Sequence, residues 1–177
     1  MRKRPYTPDT PDFEDIEGRP SKTEQKKAME RLQQLGLKLA DLPPEKIQAL
    51  PVNDVLIFNL LEMSRIPSFE ARRRQSQLLG KLLKRENEAE ILAALNQKQP
   101  AKKQAQVSRW FSRLIEQGDG ALNDFVRQFP ASERHTLRQH VMRVQKAKFE
   151  NAPEYEQAEM LLALENYVNQ VVILSEK

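Results

Sequence analysis

The residues best equipped for chemistry crowd into one stretch. Ser64–Arg85, SRIPSFEARRRQSQLLGKLLKR, carries seven basic side chains (Arg65, Arg72, Arg73, Arg74, Lys81, Lys84 and Arg85) against one acid, Glu70. Arginine presents a planar set of donors that matches phosphate oxygens, so a cluster of this kind suits a polyanion. A charge run on a helix is more usually a solvated face, but such faces mix signs so that Glu and Lys pair one turn apart. Here Arg72, Arg73 and Arg74 are consecutive and meet no acid in the following turn. Like charges packed this way repel unless something binds them.

The element that must position them is a helix. Pro67 stops a helix arriving from upstream, and Ser68 can cap a new one. Winding the following residues at about 100° each gives two faces. Phe69, Ala71, Leu78, Leu79, Leu82 and Leu83 fall on one half. Arg73, Arg74, Gln77, Lys81, Lys84 and Arg85 share an arc of the other, and Arg72 alone among the cations lands on the apolar side. The pattern predicts a helix pinned into a core by one face and cationic on the other. A second, more mixed basic segment carries Arg134, Arg138, Arg143, Lys146 and Lys148; the first four are the weaker candidates for the same role.

No other chemistry assembles from the sequence. His135 and His140 lie five residues apart, so on a helix they point about 140° from each other and cannot share a metal as an i,i+4 pair would. With no cysteine there is no disulfide and no thiolate site, which fits a reducing cytoplasm. No serine sits in a nucleophile elbow, and Gly118-Asp119-Gly120 lacks the spacing and the Lys-Ser/Thr of a phosphate-cradling loop. Trp110-Phe111 could stack a base, yet its spacing with Val107, Leu114 and Ile115 is that of a core. The reading is therefore no enzyme, no cofactor and no metal.

The remaining elements follow from punctuation and period. Residues 1–20 read as a disordered tail, interrupted by four prolines and acidic in its second half, able to shield the basic helix or simply to keep the chain soluble. Ser21-Lys22-Thr23-Glu24 is a capping box, and the helix it opens runs to Pro43-Pro44 on Met29, Leu32, Leu35 and Leu39. One further turn spans Glu45–Leu50. A second helix over Asn53–Arg65 is apolar enough to be central, through Val55, Leu56, Phe58, Leu60 and Leu61. A long helical pattern runs from Glu86 to Ile115, with Pro100 expected to kink or split it. Ala121–Gln128, Pro130–Phe149 and a last segment after Pro153 complete the chain. That last segment has an apolar stripe of Leu161, Leu164, Val168 and Val171 under an acidic surface. With 177 residues, 39% hydrophobic and only 5 glycines, the expectation is an all-α array. It comprises an N-terminal lobe over 21–118 containing the basic helix 68–85, and a C-terminal lobe over 119–177, joined by the long kinked helix. The longest apolar run, Val171–Leu174, cannot span a bilayer, and the first residues have no signal-peptide core.

The basic helix also has a family likeness. Glu70–Arg85, EARRRQSQLLGKLLKR, resembles the E-[GA]-R-R-R-Q-x-Q-[LI]-[IL]-G-K signature of the dual-action ribosomal maturation protein (DarP) family. Ser21–Glu24, Leu32–Gly36 (LQQLG), Arg113–Asp119 (RLIEQGD), and Phe129-Pro130 with Arg134, Leu137 and Arg138 match in the same order, so the resemblance covers about Ser21 to Phe149. It implies an all-helical cytoplasmic factor that associates with the pre-50S subunit on 23S ribosomal RNA. Such a factor assists late assembly and maturation of the peptidyl transferase centre without catalysing a reaction, alongside other assembly factors. Carried over by residue, the RNA-facing set is Arg72, Arg73, Arg74, Gln75, Gln77 and Lys81, which Lys84 and Arg85 extend. The chain departs from the family at Asn151-Ala152-Pro153-Glu154, where members have a basic Lys-Pro-Pro-Lys, and in its acidic last helix. Pro100 is also foreign to a single long helix. The expected behaviour is that of a monomer with no membrane role. The alternative is a helical adaptor whose basic stripe binds an acidic protein; a basic amphipathic helix lying on an anionic membrane ranks third.

Overall fold

The computed structural model describes residues 21–97 and 99–176; the expected acidic tail over 1–20 lies outside them. The described residues form helices and connections, with no strand among them. Helix α1 (Lys22–Ala40) begins in the predicted capping box: Ser21 Oγ accepts from the Glu24 backbone N–H, and the Glu24 carboxylate accepts from the Ser21 N–H at 2.8 Å. Proline opens α2 (Pro44–Gln48) at its first turn, and Asn53 caps α3 (Asp54–Met63) by accepting from Leu56 N–H. Ser68 caps the basic helix α4 (Phe69–Leu83).

The long helical pattern expected to kink or split at Pro100 is split: it forms two helices, α5 (Glu88–Gln97) and α6 (Ala101–Gln117), with Pro100 at the N-cap of the second. Gln104 closes the break by donating to the backbone oxygens of Asn96 and Gln99, at 2.8 and 3.0 Å; Pro100 has no N–H to offer the Asn96 oxygen, which also accepts from Gln99 N–H at 2.9 Å. Gly118, at φ +51°, turns α6 directly into α7 (Asp119–Gln128), so Asp119 and Gly120 belong to that helix and not to a free turn. Helices α8 (Arg134–Phe149) and α9 (Glu154–Ser175) complete the chain.

Two apolar clusters hold these helices. The first gathers Leu35, Leu39, Leu56, Leu60, Leu79, Leu83, Ile91 and Leu92 from α1 and α3–α5, with Ile173 reaching in from the end of α9. The second is built by α6–α9 around Phe125, Leu137 and Val168. Trp110 belongs to it, packing edge-on against Phe125 and Phe129 at centroid separations of 5.5 and 6.2 Å. It is core, as its spacing predicted. Helix α9 packs against α1, α5, α6 and α8, so it touches elements of both clusters. From Tyr167 to Ile173 it is buried on every side. Lys38 of α1 holds its C-terminal end, donating to the backbone oxygens of Ile173 (2.8 Å) and Glu176, where the helix dipole favours a cation.

Candidate nucleic-acid interface

What positions α4 is its crossing with α1, the most extensive helix–helix contact in the fold. The crossing is close because both helices present a glycine there. A Cβ at Gly36 would stand 2.9 Å from Leu79 Cβ, and one at Gly80 would stand 2.7 Å from Gln33 Cγ and 3.3 Å from the Gln33 backbone nitrogen. The glycines of LQQLG and of QLLGK are thus the two halves of one contact. Ser76, Leu79, Gly80 and Leu83 form the buried face of α4.

On the other face, Arg73, Arg74, Gln77, Lys81, Lys84 and Arg85 are exposed, and Arg72, near the helix start, is exposed as well. Arg73 donates to both carboxylate oxygens of Glu70, at 3.0 and 3.2 Å, and Arg74 reaches the same group at 3.4 Å. The Arg73 guanidinium, chiefly by its hydrogen bonds, holds the Glu70 carboxyl below its ordinary range. One carboxylate therefore serves two arginines, in the turn before them and not after. Arg72, Lys81, Lys84 and Arg85 have no acidic partner among the described residues. The face is a surplus of exposed cations on a helix locked from behind.

Six residues sit differently from the sequence reading. Arg72 does not run into the core: it is exposed, as is Phe69, at 83%. Both share the azimuth of the buried face, but they lie in the first turns, beyond where packing begins at Gln75 and Ser76. Leu78 is likewise 41% exposed, and in α3 the expected central residues Val55 and Phe58 are 59% and 62% exposed, because that helix buries one side only. Gln75 is half-buried, its amide donating to the backbone and side-chain oxygens of Asn59, each at 3.0 Å, so it ties α4 to α3.

The secondary candidates are not gathered into such a face. Arg134 donates to Asn123 Oδ1 at 2.9 Å and Arg138 to Asp119 Oδ1 at 3.2 Å, fastening α8 to α7. Arg143 and Lys146 are half-buried, and Arg143 lines a cavity of about 360 Å³ between α1, α8 and α9.

That cavity holds a polar cluster the sequence reading passed over. Arg31 is buried, donates from Nε to Gln170 Oε1 at 3.0 Å, and lies over the Tyr167 ring at 4.9 Å. Gln170 in turn donates to Glu88 at 2.9 Å, and Lys27 pairs with Glu133 at 3.1 Å. Burial pushes the Glu88 carboxyl up, with Arg31 opposing. Burial likewise drives His140 down to about 4, helped by Arg143 and Arg31 and resisted by Glu24. A basic residue one turn before Leu35 and an amide inside the run Val168–Ile173 were the available signals.

Comparison with known proteins places the α1–α4 crossing inside a matched span. A family model described as Dual-action ribosomal maturation protein DarP matches residues 18–165. The protein of that name from Nitrosomonas eutropha is 38% identical over 144 residues, spanning 78% of this chain and 81% of its own length. Its counterpart from Vibrio vulnificus is 34% identical over 138 residues, 75% of this chain and 74% of its own. That from Haemophilus ducreyi is 33% identical over 153 residues, 82% and 85%.

Proposed function

Because this chain belongs to the family of dual-action ribosomal maturation proteins (DarP), we propose that it is a non-catalytic, ribosome-associated factor of the bacterial cytoplasm. It binds 23S ribosomal RNA of the immature 50S subunit and assists late assembly and maturation of the peptidyl transferase centre. The observation that supports this reading most is the set of exposed cations on α4, Arg73, Arg74, Lys81, Lys84 and Arg85 on the outer arc and Arg72 at the helix start, with one carboxylate among them. Gln77 adds a neutral donor on the same arc.

The mechanism is occupancy. RNA phosphates release condensed counterions when cations replace them, so each contact adds affinity without reading sequence. The glycine crossing fixes the helix against α1, so the backbone that carries the cations is in place before RNA arrives, which lowers the entropy lost on binding. A factor held this way can cover immature RNA and leave when folding removes its site. Among the described residues no helix is long and apolar enough to cross a membrane.

Sucrose-gradient fractionation of cells expressing the tagged chain tests this. The expected result is co-migration with pre-50S particles at low salt and release to the top fractions as salt rises. Migration with non-ribosomal proteins alone, insensitive to salt, would overturn it in favour of the adaptor reading.

A further inference from the structure

The cations of α4 do not have their side of the molecule to themselves. The Gln75–Asn59 contact marks the line along which α4 packs on α3. The connection between the helices is short, so they run antiparallel. Winding each helix away from that line at about 100° per residue places Val55 and Phe58 of α3 beside Leu78 of α4 on one outer face. Arg74, Lys81 and Arg85 fall on the same side. Burial agrees, since Leu56, Leu60, Met63, Leu79 and Leu83 are buried on the opposite side. In the antiparallel register Phe58 stands level with the turn from Arg74 to Leu78. An aromatic ring, 62% exposed, thus shares its side of the hairpin with Arg74, Lys81 and Arg85, and with Glu62 one turn on, which accepts from Arg65 at 2.6 Å.

Double-stranded RNA is a poor match for this face. Its bases are stacked inward, and its phosphates would have to lie over hydrocarbon. A single strand can run its phosphates along the cations and lay a base on the ring, as sequence-tolerant single-strand binders do. A protein partner fits less well, because a stable interface covers about 800 Å² on each side, and three half-exposed side chains ringed by cations fall far short of that.

We propose that the outer face of the α3–α4 hairpin binds unpaired RNA. Phe58 is its stacking platform, Val55 and Leu78 flank the base, and Arg74, Lys81 and Arg85 hold the adjoining phosphates. The proposal rests on the RNA reading of α4 and adds to it a preference for single-stranded over duplex segments.

The test uses the full chain with two labelled probes, a mixed-sequence single-stranded oligoribonucleotide and a duplex of the same length. Wild type is expected to prefer the single strand. Phe58→Ala should weaken single-strand binding roughly five- to 150-fold, the range that one base stack covers, while duplex binding and the salt slope stay put. Phe58→Trp should keep the affinity, and its fluorescence should be quenched by the single strand over the constant signal of core-buried Trp110. Because Phe58 is mostly exposed, melting curves of both variants should overlay wild type. Equal binding of wild type and Phe58→Ala to the single strand, or an unquenched Phe58→Trp at saturation, overturns stacking while leaving the phosphate reading intact. Failure of wild type to bind either probe at low salt removes the RNA reading itself.

Discussion

Alanine at Gly36 would place a carbon 2.9 Å from Leu79 Cβ and 3.4 Å from Leu83 Cδ1. Leu79 Cβ is bonded to the α4 backbone and cannot swing aside as a side-chain tip would. Carbon atoms settle at about 3.5–4.0 Å, so α4 must move off α1 by roughly 0.5–1 Å, and facing atoms then lose a quarter to a half of their dispersion energy. Overpacking of this kind costs about 1–3 kcal/mol. The higher helix propensity of alanine returns about 1 kcal/mol, leaving a net loss of up to about 2 kcal/mol. Gly120 is the internal control: it is helical, and nothing lies within 4 Å of its Cβ direction, so Gly120→Ala should stabilise by about 0.5–1 kcal/mol. One substitution at two sites should therefore shift stability in opposite directions. Urea denaturation reads both, with midpoints moving and m-values unchanged. At roughly 2–4 °C per kcal/mol, the melting temperatures should separate by several degrees. A Gly36→Ala chain as stable as Gly120→Ala would refute the close α1–α4 crossing that holds the basic helix in place.

Two further outcomes follow from the geometry. His140 has its pKa lowered from 6.5 to about 4 by burial against Tyr167, with Arg143 and Arg31 adding and Glu24 opposing; the unfolded chain therefore takes the proton first. Stability from the neutral ring is complete above about pH 6.5 and drains as pH falls toward 4, by about 3 kcal/mol at most. Glu88, whose pKa is raised by burial, gains on folding as it protonates and offsets part of the loss. His140→Gln should flatten the curve in that window, checked by urea melts across pH. Arg72→Ala should leave the melting temperature where Arg73→Ala leaves it, since both side chains are exposed; a markedly lower melting temperature for Arg72→Ala alone would restore a core contact for that residue.

Much of the fold could be read because its signals are local. Caps at Ser21 and Ser68 and the break at Pro100 depend on neighbours within one turn, and each stands where the sequence placed it. The α4 face was legible for the same reason, its cations being consecutive or one turn apart. What escaped were properties set by other elements. A helical projection keeps azimuth and discards height, so Arg72 and Phe69 fell on the packed side although the packing starts a turn later. Val55 and Phe58 looked central because apolar content says nothing of how many neighbours a helix has. Gln75 gave no sign of Asn59. The Arg31–Gln170 and Gln170–Glu88 bonds join residues 139 and 82 positions apart, and no periodicity reports a pairing at that distance.

The central claim is that the exposed arc of α4 meets RNA phosphates, and the salt dependence of binding tests it most directly. Arg73, Arg74, Lys81, Lys84 and Arg85 are changed together to Gln, and affinity for 23S ribosomal RNA is measured across a salt series. The Glu70 pairs removed are exposed and contribute little to stability, and relief of repulsion among the cations offsets their loss, so the variant should melt with wild type. Affinity should collapse, and the slope of log affinity against log salt should shrink by about 0.7–0.9 for each phosphate no longer neutralised, roughly 3.5–4.5 if all five side chains touch phosphate. A folded variant with wild-type affinity and an unchanged slope would contradict the claim.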